Sequence, residues 1–202
     1  MKPYKGNIID MTKLVITGNP GVGKHTSAKL VIQRIGFGSI IDINKLAFSQ
    51  NAVLRRSTRH GVEIDTKKLA KMLTTLLEES KGVIIIVGHL APYVLESAGV
   101  DLAIVLRRSP YELTKVLKRR RYSLHKIKEN VASEILDISL YDSLQTFGEE
   151  KIAELDTTRR TPGHTANEII RLLRRTRKRK FGTVDWLSMV HKNGHLAKFL
   201  EY

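Results

Sequence analysis

The stretch Gly18-Asn19-Pro20-Gly21-Val22-Gly23-Lys24-His25-Thr26 follows directly on the apolar run Leu14-Val15-Ile16. Glycines at 18, 21 and 23 let the backbone turn tightly with its N–H groups inward, and Lys24 adds a cation suited to the β- and γ-phosphates of a nucleotide. The segment Thr26-Ser27-Ala28-Lys29-Leu30-Val31-Ile32 has helical apolar spacing, so the positive end of a helix dipole is expected there too. An ordinary strand-to-helix turn leaves Lys24 and the third glycine unexplained. One position departs from the usual pattern. The residue after Lys24 is His25, where a Ser or Thr normally places its hydroxyl on Mg²⁺, and the hydroxyl comes one step later, at Thr26.

Around this loop the chain alternates between strand and helix patterns. Ser39–Asp42, Val83–Val87, 101–106 and Ile152–Asp156 join Leu14–Ile16 as apolar, strand-like runs. Val83–Val87 is continuous and β-branched, as a strand buried on both faces should be. Asp42 is placed at a strand's C-terminal edge, where open α/β sheets hold their ligands. Helices are expected from Thr66, with that threonine as cap, and over 91–97. Others are expected from Ser109-Pro110 to about Arg121, from Ser123 through Ile138, and from Thr165 to about Lys180. The alternation predicts an α/β fold of the P-loop NTPase type, a five-stranded parallel sheet with helices on both faces. Residues 43–65, which contain Arg55, Arg56, Arg59 and His60, form an insertion at the sheet's C-terminal edge.

Lysine and arginine number 35 against 20 acidic residues in 202, a formal charge of +15. This points to a polyanion such as RNA beyond any nucleotide, the alternative being a solvated charged face. The densest block is 171–180, seven basic residues in ten with no acid. The apolar residues beyond it, from Phe181 to Val190, predict a segment that folds back or docks on a partner. With no cysteine, disulfides and thiolate metal sites are excluded. No run approaches bilayer length and no signal peptide is present, so a soluble, cytoplasmic protein without membrane contact is expected. Met1 and Met11 are alternative starts.

Nucleoside monophosphate kinases resemble this loop, since many carry Gly-Lys-x-Thr and hold much of the metal's shell through water. The wider resemblance is to the adenylate kinases of the isoenzyme-six type. It rests on Gly-x-Pro-Gly-x-Gly-Lys, on Ile-Asp-Ile-Asn-x-Leu-Ala at 41–47, and on Arg-x-Tyr-Ser before Lys-Ile-x-Glu-Asn at 126–130, and it spans about residues 14–175. It implies a broad nucleoside monophosphate kinase that uses ATP, Mg²⁺ and AMP or another monophosphate, with ATPase activity. It also implies a role in late small-subunit maturation, beside a platform ribosomal protein and rRNA. The kinase domain would be 1–180 and the C-terminal extension 181–202.

Carried over by position, Gly18, Gly21, Val22, Gly23, Lys24, His25 and Thr26 bind nucleotide. Residues 41–64 form the monophosphate insert, 119–129 the lid, and Arg120 the lid arginine that meets ATP. The family often has Asp-x-His at its third strand end, whereas this chain has Val87-Gly88-His89. The lost aspartate leaves Asp42, with Thr26, as the metal candidates, chiefly through water. His89 has two readings, positioning a hydrolytic water or a phosphate, or serving as a neutral cap. Arg55, Arg56 and Arg59 are candidates for the acceptor's phosphate or part of an exposed basic face. Three classes follow: a monophosphate kinase, a nucleotide-switched ribosome-assembly ATPase with residual kinase activity, and another small-molecule kinase on the same loop.

Overall fold

A computed structural model describes residues 12–57 and 61–200, without the side chains of residues 56, 57, 61 and 62. Thr12–Thr17 (β1) is followed by Lys24–Ile35 (α1), Ser39–Asp42 (β2) and Ile43–Ser49 (α2). The paired strands Val53–Ser57 (β3) and Gly61–Ile64 (β4), then Thr66–Glu79 (α3), come next. The chain continues through Val83–Val87 (β5), Ala91–Val94 (α4), Leu102–Arg107 (β6), Pro110–Arg119 (α5), Leu124–Ile135 (α6) and Ile138–Phe147 (α7). It closes with Ile152–Asp156 (β7), Pro162–Leu173 (α8), Trp186–Lys192 (α9) and Leu196–Leu200 (α10).

Five strands form one parallel sheet in the order β2-β5-β1-β6-β7. The chain winds one way from β1 to β2 and β5, then the other way to β6 and β7. The winding reverses at β1, and the C-terminal end of such a strand is where these sheets bind ligands. Side-chain alternation along β1 divides the core in two. Leu14 and Ile16 face Ala28 and Val31 of α1, Leu113 of α5, Val131 of α6 and Ile169 of α8. Val15 faces Ile43 of α2, Leu69 and Leu73 of α3, and Phe147 of α7. This is a P-loop NTPase fold.

Several helix limits differ from the sequence expectation. Asp65, not Thr66, caps α3, its carboxylate accepting from Lys68 N at 2.9 Å. The helix expected from Ser123 through Ile138 is two helices, because Asp137 takes a left-handed conformation (φ 57°) and aims its carboxylate at the buried guanidinium of Arg107. Ile138 therefore opens α7. The basic helix expected to reach Lys180 stops at Leu173. Arg175 is left-handed, and the N–H groups of Thr176 and Arg177 both donate to the Arg171 carbonyl. Continuing the helix would stack like charges at three- and four-residue spacing. Arg177 instead turns back to Glu168, and Arg179 to the Glu150 carbonyl.

The closing residues fold back. Trp186, Val190 and Phe199 join the core that holds α6, and Glu154 N of β7 donates to the Lys180 carbonyl at 2.8 Å. The inserted β3–β4 pair is separate from the main sheet. Met11, Arg59 and His60 lie outside the described residues, as does the Arg56 side chain, while Arg55 is exposed.

Candidate active site

The loop after β1 is held open by backbone geometry that only glycine accepts. At Gly18 φ is 122°, and a Cβ would lie 2.3 Å from the Leu106 carbonyl oxygen of β6. Gly23, also left-handed, begins α1 with no side-chain cap, so the first-turn N–H groups remain available to an anion.

Three surrounding elements fix the loop. Asn19 Nδ2 donates to Glu134 Oε2 of α6 at 2.8 Å, and Ser133 Oγ donates to Asn19 Oδ1 at 3.1 Å. Arg108, just past β6, donates to the Gly21 carbonyl at 2.9 Å, and Thr157, just past β7, donates to the Val22 carbonyl at 3.0 Å. Glu134 is fully buried and also accepts from Arg107 Nε at 2.8 Å, Arg108 N at 3.0 Å and Trp186 Nε1 at 3.1 Å. Burial pushes its carboxyl up while the Arg107 charge opposes that shift. With Glu134 accepting from four donors around an adjacent guanidinium, the ionised form is the one the site satisfies.

Lys24 opens α1 and is buried. Its Nζ donates to the Gly18 carbonyl at 2.8 Å and the Asn19 carbonyl at 3.0 Å. Burial lowers its pKa to about 8; the charge of Arg120 acts in the same direction, and Glu134 and Asp42 act against it. An anion arriving at the loop restores what burial takes away.

Lys24, His25 and Thr26 line a pocket of about 190 Å³ together with Gly21 and Gly23. Arg120 reaches it from the end of α5, His89 from just past β5, Asn44 from the first turn of α2 and Tyr122 from the α5–α6 turn. His89 opens onto this pocket, yet desolvation first and the Lys24 charge second lower its pKa to about 4. Water entering the pocket screens part of that effect, but both causes favour a neutral imidazole at pH 7.

The other sequence candidates sit nearby but not on the pocket wall. Gly18 makes the turn and accepts from Lys24, and Val22 buries its side chain in the core. Asp42 lies in a neighbouring groove of about 440 Å³, its Oδ2 2.8 Å from His25 Nε2 and its Oδ1 accepting from Lys45 N at 3.1 Å. Asn44, Tyr122 and the supports from Glu134, Arg108 and Thr157 were not among the sequence candidates. Asn44 stands inside the Ile-Asp-Ile-Asn run already singled out, and a glutamate beside the apolar register of α6 was the one available sign of Glu134.

A family model described as an AAA domain matches residues 14–137. A protein described as "Putative adenylate kinase" from Thermococcus onnurineus is 35% identical over 172 residues, covering 85% of this chain and 89% of its own length. Another of that description, from Methanocaldococcus jannaschii, is 34% identical and spans 86% of this chain and 92% of that one. This chain belongs to that adenylate kinase family. That kinship makes it a nucleotide-kinase type of P-loop protein. Among solved structures, a shikimate kinase from Acinetobacter baumannii shares the fold (TM-score 0.58, 11% identity, 83% of this chain and 95% of that one). A gluconokinase from Sinorhizobium meliloti does likewise (TM-score 0.53, 14% identity, 82% and 93%). Among the described residues no helix is long and apolar enough to cross a membrane.

Proposed function

We propose that this member of the adenylate kinase family moves the γ-phosphoryl group of ATP onto a nucleoside monophosphate, with AMP the first acceptor to test. The observation that carries this reading is the convergence of Lys24, Thr26, Arg120, His89 and Asn44 on one pocket. The first three come from the loop and lid, and Asn44 comes from the insert. Phosphoryl transfer asks the protein for alignment and for neutralisation of charge on the equatorial oxygens. An oxygen of the acceptor's phosphate forms the new bond to the γ-phosphorus while the β–γ bridging bond breaks, leaving two nucleoside diphosphates. That oxygen is already anionic at neutral pH, so no general base is required.

Lys24 and the α1 amides would hold the donor phosphates, and Arg120 would meet the charge that develops. His89, neutral, would hydrogen-bond a phosphate or exclude water. Among the described residues no group of three acidic or histidine side chains forms a metal cage. Mg²⁺ needs no such cage, since it takes one or two protein oxygens beside phosphates and water, and the Thr26 hydroxyl with the Asp42 carboxylate through water fits that need. When bound, it would supply charge neutralisation across the β- and γ-phosphates. We read residues 1–180 as the catalytic domain, with 41–64 as the monophosphate insert and 119–129 as the lid, followed by the 181–202 extension, in a cytoplasmic enzyme.

A second reading keeps the same donor site and makes ATP hydrolysis the output, in late small-subunit maturation beside a platform ribosomal protein and rRNA. The basic segment 171–180 favours it, because Arg175, Lys178 and Lys180 are exposed. ATP turnover with and without AMP separates the two. The kinase reading predicts turnover that requires AMP and yields two ADP per ATP. AMP-independent release of inorganic phosphate at the same rate would favour the second.

A further inference from the structure

His25 occupies the position where a P-loop normally spends a hydroxyl on the metal, and Thr26 provides that hydroxyl one residue later. The imidazole of His25 is directed elsewhere. Its Nε2 lies 2.8 Å from Asp42 Oδ2, and the Asp42 carboxylate is only 13% exposed. The other carboxylate oxygen accepts from Lys45 N and so caps α2. In the first turn of that helix, two residues past the cap, Asn44 lines the pocket beside Lys24 and His89. A second fastening lies at Ile43, which is fully buried; a Cβ at Gly88 would come 2.8 Å from its Cβ. The start of α2 is thus seated on Gly88 below and held through Asp42 from α1.

We propose that His25 is a positioning residue for the phosphate acceptor. Through Asp42 it sets the insert helix, and with it Asn44, against the donor loop. A Ser or Thr at 25 would end about two bonds from its Cα, well short of an imidazole's reach, and would leave Asp42 with the Lys45 amide alone. Substitution at 25 therefore acts more strongly on acceptor binding than on the donor phosphates, which Lys24 and the loop amides hold. This rests on the phosphotransfer reading above.

The test compares wild type with His25→Ala, His25→Thr and His25→Gln, the last keeping an N–H donor at similar reach. Calorimetry gives AMP affinity and the affinity for a non-hydrolysable ATP analogue, and steady-state assays give KM for AMP and for ATP. We expect His25→Ala and His25→Thr to weaken AMP binding and raise its KM by about tenfold, a loss of the uniform binding that positions the acceptor. The loss for the ATP analogue should be clearly smaller than that for AMP, and His25→Gln should recover most of the AMP loss. Equal losses for AMP and the analogue, or no recovery in His25→Gln, would overturn the role. If wild type binds AMP without phosphorylating it, the phosphotransfer reading falls, and the AMP affinities still decide for or against His25. If wild type binds no AMP, both fall.

Discussion

His89 shows how a single side chain is set by its surroundings. Desolvation and the Lys24 charge lower its pKa from the ordinary 6.5 to about 4, water in the open pocket offsets part of that, and within the interval the unfolded chain binds more proton than the folded chain. Stability from this group is complete above pH 6.5 and is lost as the pH falls toward 4. Denaturant titrations at pH 7 and pH 5 should show wild type losing more stability than His89→Gln across that interval. An equal loss in both would mean the imidazole is free to charge. The places of Lys24 and Thr26 on the pocket were legible because a glycine-rich turn fixes them, and Arg120 came into view through the resemblance carried by Arg-x-Tyr-Ser. Glu134 was not, because nothing local says that a glutamate beside Val131 and Ile135 will accept from Asn19, Arg107, Arg108 and Trp186. Those partners lie far away in the chain and meet only in the fold.

At the scale of elements, α6 is the bracket that joins the loop, the β6 end and the C-terminal segment. Removing one member of a buried ionic network leaves the others uncompensated. Glu134→Ala should therefore cost about 3–5 kcal/mol in chemical denaturation, with a weaker loop as its functional consequence. A loss within the range of an exposed substitution, below about 0.5 kcal/mol, would contradict the bracket. All five sheet strands were legible from apolar runs; β5, buried at every position, left a continuous signal, while the edge strand β2, with no buried position, showed only Ile40 and Ile41 before Asp42. Helix ends were harder. Apolar period continues through Ile138, yet the chain breaks at Asp137 because its carboxylate is drawn to Arg107. Period likewise suggested that α8 runs into the arginine block, where charge repulsion and the left-handed Arg175 stop it.

Over the whole molecule, the excess of positive charge is distributed unequally between tied and free cations. Arg177 is engaged by Glu168 and Arg179 by a carbonyl, while Arg175, Lys178 and Lys180 are exposed. If the segment contacts RNA, changing those three to Gln should lower the slope of log affinity against log salt by about 2, from a coefficient near 0.7–0.9 per phosphate contact. An unchanged slope would assign the charge to solvation. The C-terminal segment adds Trp186, Val190 and Phe199 to the same core as the sheet, so its fate is bound to that of the loop through Glu134. The fate of the γ-phosphoryl group tests the central claim most directly, using ATP labelled at that phosphate in the presence of AMP. The phosphotransfer reading predicts label in ADP formed from AMP, absent when Lys24→Ala replaces wild type. Label appearing in inorganic phosphate alone would contradict it.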